Sequence, residues 1–173
     1  MKIRRGKDTV RTESQEIKRV AFPPVVPSGN KTVIVKNAQF TDAAGRTLLL
    51  QGINVGGSSK LPAHPVLPTV ERTGFFETAR EVSFVDRPFP LAEAPEHFAR
   101  LYHWGYRFVR LLITWEAIEH AGPGRYDTAY LAYIRRIAEL AAEHKISLFI
   151  DPHQDVWSRF SGGDGAPYWT FEA

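Results

Sequence analysis

Apolar and polar positions along the chain change period several times, and each change marks an element. KTVIVKNAQF, from Lys31, alternates in part, and the cluster TDAAGRT after it reads as a turn. LLLQGINVGG follows as a second strand, so residues 31–56 are expected to form a hairpin leading into a buried strand. From Ser58 to Pro95 no period is sustained and six of the twelve prolines occur, which predicts an elaborated loop or excursion. PEHFARLYHWG predicts a short helix with Pro95 in its first turn and Gly105 at its stop. YRFVRLLITW is apolar around a single Arg110, as in a strand buried on both faces. GPGRYD is a turn, with Asp127 placed to cap the next helix. In TAYLAYIRRIAELAAEHK the apolar Tyr130, Leu131, Ile134, Ile137, Ala138 and Ala141 follow helical spacing. ISLFI, from Ile146, is the next strand. The order strand, excursion, helix, strand, helix, strand predicts a parallel sheet with right-handed crossovers.

Composition narrows the class. The chain has 173 residues, 43% hydrophobic and 24% charged, as in one soluble globular domain. No run reaches the roughly 18 apolar residues that span a bilayer, and the basic N-terminus lacks the apolar core of a secretory signal. A cytoplasmic location is therefore expected. Cysteine is absent, which excludes disulfides, thiolate metal sites and cysteine nucleophiles. The net charge of +3 belongs to residues 1–19, with seven Lys/Arg against three Asp/Glu. Residues 1–30, basic and then Pro-rich (FPPVVPSGN), are expected to be a disordered tail, and residues 31–173 one domain. A basic tail of this kind gives no ground for nucleic-acid binding.

In parallel α/β sheets ligands bind beyond the carboxyl ends of the strands. The exits here are GINVGG, TWE and DPHQD. His153 and Asp155, two residues apart, project to one side if the strand continues through them. Such a pair suits a sugar hydroxyl, a second carboxylate or a metal; it also suits a helix cap and a backbone contact. The other histidines lack ligand spacing, so neither metal nor cofactor is expected. Arg110, inside an apolar strand, calls for a carboxylate partner or a route to solvent along its stem. Glu116 and Glu119 read as solvated residues of a helix start. The GINVGG glycines lack phosphate-cradling spacing, and Asn54 and Lys60 are donors to a ligand or surface residues. Trp157, Tyr168 and Trp169 suit either the flat face of a sugar or lipid-like group, or a cover over the core. No G-x-S-x-G is present, and Asp151, Asp155, Asp164 and Glu172 cluster at or after one strand without forming an evident catalytic pair.

Three segments carry a resemblance: GRTLLLQGINVGG, the long stretch GYRFVRLLITWEAIEHAGPGRYDTAYLAYIRRIAELAAEHKISLFIDPHQD, and GDGAPYW. Together they resemble glycoside hydrolase family 5, retaining glycosidases built on a (β/α)8 barrel. The combination VRLLITWEAIE, G-x-YD, IDPHQD and GDGAP is most similar to the endoglycoceramidase-related branch, which includes fungal glucosylceramide and steryl glucoside β-glucosidases. The match runs from about Lys31 to Ala173. It implies the N-terminal portion of a TIM barrel, about three strands, preceded by a β-hairpin. It implies a glucoside with a lipophilic aglycone as partner, and with it peripheral membrane contact. By resemblance Arg110 orients the nucleophilic carboxylate, His153 and Asp155 bind the glucose, Lys60 also contacts sugar, and Trp169 walls the aglycone side. The family's acid/base glutamate follows an asparagine after the fourth strand, and its nucleophile follows the seventh. No Asn-Glu dipeptide occurs here and Ala173 follows the third strand. The chain alone is thus expected to lack both catalytic glutamates and turnover, with Ile146–Ile150 an unpaired edge. The alternative is a non-catalytic fragment or glycolipid-binding product.

Overall fold

The first turn falls earlier than the polar cluster suggests. In the computed structural model, which describes residues 33–65 and 74–172, VIVKNAQF folds back on itself. Strand β1 (Ile34–Lys36) pairs antiparallel with β2 (Gln39–Thr41), Val35 opposite Phe40. Asn37 and Ala38 between them have φ of 50° and 60°, the left-handed pair that a tight two-residue hairpin needs. TDAAGRT forms a second turn: the Asp42 carboxylate accepts from the Ala44 and Arg46 amides at 2.9 Å and from Arg46 Nε at 2.6 Å. The expected tail 1–30 lies outside the described residues.

The expectation of a buried strand over LLLQGINVGG is corrected. Only β3 (Ile53–Val55) pairs, while Leu49 and Leu50 are exposed. Its partner among the described residues is β4 (Phe108–Ile113), and β4 pairs in turn with β5 (Ser147–Pro152), all parallel. One face of this sheet is covered. Helix α1 (Ala94–His103) buries Ala94, Phe98 and Leu101 there, with Pro95 in its first turn. Gly105, at φ 93°, ends the helix, and the Tyr106 amide returns to the Leu101 carbonyl at 3.0 Å. Helix α2 (Trp115–Glu119) is capped by Thr114. Helix α3 (Thr128–Glu143) is capped by Asp127, whose carboxylate accepts from the Tyr130 amide at 2.9 Å.

The buried face of α3 is Tyr130, Tyr133, Ile137, Leu140 and Ala141, so Leu131, Ile134 and Ala138 sit on its flanks. These residues meet Val109 and Leu111 of β4 and, from the 58–95 excursion, Val82 and Phe84. The excursion thus supplies core as well as loop. The expected burial of YRFVRLLITW on both faces is also corrected. Val109 and Leu111 are fully buried, but Phe108 and Arg110 line an open concavity with Asn54 and Phe149. Phe149 and Ile150 of β5 stand exposed, and β5 has no second neighbour among the described residues. Three parallel strands with crossover helices on one side are the first part of a (β/α)8 barrel, and the open concavity is its interior. No helix among the described residues is long and apolar enough to cross a membrane.

Candidate functional site at the strand exits

All three strand exits point one way, and their polar side chains meet in one cluster. Arg110 lies on β4, and its Nη2 is 2.6 Å from Oδ2 of Asp151 on β5. Arg110 thus has its carboxylate partner one strand away, with its side chain still partly exposed to the concavity. Past β5 the His153 amide still donates to the Ile113 carbonyl at 2.7 Å, which extends the parallel ladder and aims the ring at the exit. His153 Nδ1 is 3.0 Å from Asp151 Oδ2, and its Nε2 is 2.9 Å from Asp155 Oδ2. Lys60 ends the short 3-10 turn Gly57–Lys60 after β3. Its Nζ is 2.6 Å from Asp155 Oδ2 and 3.1 Å from Asp164 Oδ2. Arg110, Asp151, His153, Asp155 and Lys60 thus form a chain in which every carboxylate faces a donor. The hydrogen bond from Lys60, then that from His153, holds the Asp155 carboxyl below the usual range; the same bond to Asp155 pushes the Lys60 ammonium up.

The Gly-rich loop closes this cluster for a steric reason. Asp155 and Asp164 form an antiparallel bridge, amide to carbonyl, at 2.9 and 2.8 Å. At Gly163 a Cβ would lie 1.8 Å from the Asp155 carbonyl oxygen, so the bridge needs glycine there. Between the bridged residues Val156 and Trp157 have φ of 46° and 73°, uncommon for bulky side chains. Their backbone is held by Ala166, whose amide donates to Trp157 O at 2.7 Å, and by Ser161 Oγ, which donates to Val156 O at 2.6 Å. Gln154, without an assigned role in the sequence, packs against Gly165.

The expectation that Glu116 is solvated is overturned. Its side chain is about as buried as any in the structure, and both carboxylate oxygens accept from Arg159 Nε, at 2.8 and 2.9 Å. The Arg159 guanidinium lies 4.8 Å from the Phe75 ring centroid and 4.1 Å from that of Phe160. Its Nη1 and Nη2 are buried without an acceptor. Burial pushes the Glu116 carboxyl up to about 7 against the pull of Arg159. The Glu116 amide also donates to the Gly165 carbonyl at 2.7 Å, so this pair fastens the Gly-rich loop to the start of α2. Nothing in the spacing of Glu116 and Arg159 announces the pair. Glu119 accepts from Trp115 Nε1 at 2.5 Å and from the Gly124 amide.

The aromatics divide. Tyr168 belongs to a cluster with Phe76, Phe160 and Phe171 and covers the core. Trp169 donates its Nε1 to the Glu119 carbonyl at 2.7 Å and meets Trp115 edge to face at 5.3 Å. Trp157 stands exposed beside Trp115, its Nε1 donating to Thr170 at 3.1 Å. Of the anticipated site residues, Lys60, Arg110, His153 and Asp155 are brought into one network, and Trp169 lies on the loop that closes it. Asp151 and Asp164 are members that the sequence reading grouped only as unpaired carboxylates. Among the described residues His153, Asp155 and Asp164 are the one group whose ligand atoms lie close enough to hold a metal ion, within 4.8 Å of one another. The Lys60 ammonium already bonds both carboxylates of that group, so a positive charge is built into the site.

Comparison with known proteins agrees with the barrel fold. The family model described as Cellulase (glycosyl hydrolase family 5) matches residues 78–170. A glucosylceramidase of Rhizopus delemar is 56% identical over 135 residues, 77% of this chain and 20% of that protein. The ergosteryl-beta-glucosidase of Saccharomyces cerevisiae is 45% identical over 145 residues, 81% of this chain and 19% of its own length. A crystal structure of Cryptococcus neoformans sterylglucosidase 1 superposes with a TM-score of 0.70 at 47% identity, covering 77% of this chain and 19% of that one. The chain thus spans about a fifth of the length of these relatives.

Proposed function

The chain belongs to glycosyl hydrolase family 5, and from that premise we propose that residues 31–173 act as one unit, the sugar-binding rim of a retaining β-glucosidase. The substrate is a glucoside with a lipophilic aglycone, glucosylceramide or a steryl glucoside, the substrate types in the names of the relatives. One observation carries the reading: His153, Asp155 and Lys60 converge at the exits of a parallel barrel sheet, where sugars are held. Asp155 is half-exposed and kept ionised by its donors, so its free lone pairs accept from sugar hydroxyls. In this reading Arg110, on the interior face, orients the nucleophilic carboxylate.

The rim does not itself cleave. Retaining hydrolysis needs an acid and a nucleophile about 5–5.5 Å apart. Asp151, Asp155 and Asp164 are each bonded to Arg110 or Lys60, which suits them to holding a sugar and not to donating a proton. Trp169 walls the aglycone side, and the exposed Trp115, Val156 and Trp157 at the same end suit peripheral contact with a membrane that presents the lipid. The second reading is a non-catalytic product that binds glycolipid.

The test is hydrolysis by two preparations. The complete natural polypeptide in which this sequence occurs is expected to release glucose from glucosylceramide or ergosteryl glucoside with retention of configuration. The 173-residue chain by itself is expected to release none, even from an aryl β-glucoside. Turnover by the short chain overturns the assignment of its carboxylates to binding. Inactivity of the complete polypeptide on both lipids overturns the substrate class, and a transcript that stops at the Ala173 codon favours the non-catalytic product.

A further inference from the structure

Asp164 is the most buried carboxylate of the site, with 4% of its surface exposed. Its Oδ2 bonds Lys60 Nζ at 3.1 Å. Its Oδ1 is buried with no hydrogen-bond partner and lies 3.8 Å from His153 Nε2, just beyond bonding range. A buried carboxylate oxygen left without a donor is costly, so the position is held by the surroundings. Those surroundings are the backbone bridge to Asp155 and the close approach at Gly163.

Asp155 shows the opposite state. Its Oδ2 accepts from both Lys60 Nζ, at 2.6 Å, and His153 Nε2, at 2.9 Å, which fills both lone pairs of that oxygen. A first sugar hydroxyl can take the open Oδ1, but one that takes Oδ2 as well must displace one of these donors. The nearest acceptor for either is Asp164, already shared by Lys60 and one short ring movement from His153.

From this geometry, and resting on the β-glucosidase reading above, we propose that Asp164 is a positioning residue that takes over Lys60 and His153 when Asp155 turns to the sugar. Asp155 and Asp164 then form an exchange pair. In the free site the two donors sit mainly on Asp155. In the occupied site they move onto the buried carboxylate, whose unpartnered oxygen is satisfied, and Oδ2 of Asp155 is released so that both carboxylate oxygens face the hydroxyls. Without the Asp164 charge, Lys60 has Asp155 as its single carboxylate and competes with the substrate for it.

The experiment is a double-mutant cycle in the complete natural polypeptide, read on a soluble aryl β-glucoside and paired with thermal melting. D164N is expected to raise KM about tenfold, the scale of one hydrogen bond to a charged group, with kcat nearly unchanged. In the K60M background the same substitution is expected to leave KM where K60M alone puts it. An unchanged KM in D164N, or an equal penalty with and without Lys60, overturns the proposal. If D164N does not fold, a folded K60M/D164N protein supports the coupling, and loss of both overturns it in favour of a purely structural role. A wild type without β-glucosidase activity overturns this inference together with the functional reading; an active wild type with an indifferent D164N overturns this inference alone.

Discussion

Replacing Arg159 with methionine is expected to destabilise the protein by about 3–5 kcal/mol, the usual cost of removing one partner of a buried ion pair. Methionine fills similar space, so the loss reports charge more than volume. Glu116 would remain in a site with almost no access to water, deprived of the two Nε contacts at 2.8 and 2.9 Å. The Phe75 and Phe160 rings would also lose the cation between them. The double variant E116Q/R159M should regain much of the stability, because it leaves no buried charge. Chemical denaturation of the three proteins measures this, and a loss below about 1 kcal/mol in R159M would count against the pair as the fastening of the loop.

The same pair sets a pH dependence. Burial raises the Glu116 carboxyl from its ordinary 4.5 to about 7 in the folded protein. Between those values the folded state binds the extra proton, so the stability from this group is complete below about 4.5. It is lost as pH rises through about 7. E116Q is expected to remove that component of the slope.

The second large effect concerns the sugar. On the proposed β-glucosidase reading, D155N in the complete natural polypeptide is expected to lower kcat/KM on lipid β-glucosides roughly 10- to 100-fold, the range for hydrogen bonds to a charged group. The asparagine amide keeps the shape but not the charge, and one of its two heads donates where the carboxylate accepts. Stability should hardly change, because the Lys60–Asp155 pair is solvent-exposed on the Asp155 side and such pairs contribute little. Steady-state kinetics beside a thermal melt separates the two effects. An unchanged kcat/KM would remove Asp155 from the binding role, and a large fall in melting temperature would make it a structural residue instead.

Much of the fold was legible because its signals are local. Pro95, Gly105 and Asp127 mark helix ends through backbone geometry that involves neighbours within a few residues. The alternation of elements likewise predicts a parallel sheet, since a crossover helix is the short route between parallel strands. The misplaced hairpin had a different origin. Two turn signals stand in succession, Asn37-Ala38 and TDAAGRT, and the less conspicuous one makes the tight hairpin. The extent of β3 depends on pairing: Leu49 and Leu50 have strand character, but the ladder with β4 begins at Ile53.

The sequence by itself determined the parallel order, the caps, and the placing of Arg110 inside a strand and of His153 and Asp155 at a strand exit. Period and position suffice for those. Only the tertiary structure decided the partners. Lys60 reaches Asp155 across 95 residues, and Glu116 reaches Arg159 across 43. A carboxylate on a short helix near a turn has the same local signature whether water or a buried guanidinium faces it. Charge pairing at that distance is set by how the excursion and the Gly-rich loop pack over the sheet, and so Glu116, Arg159 and Asp164 became visible only when the chain was folded.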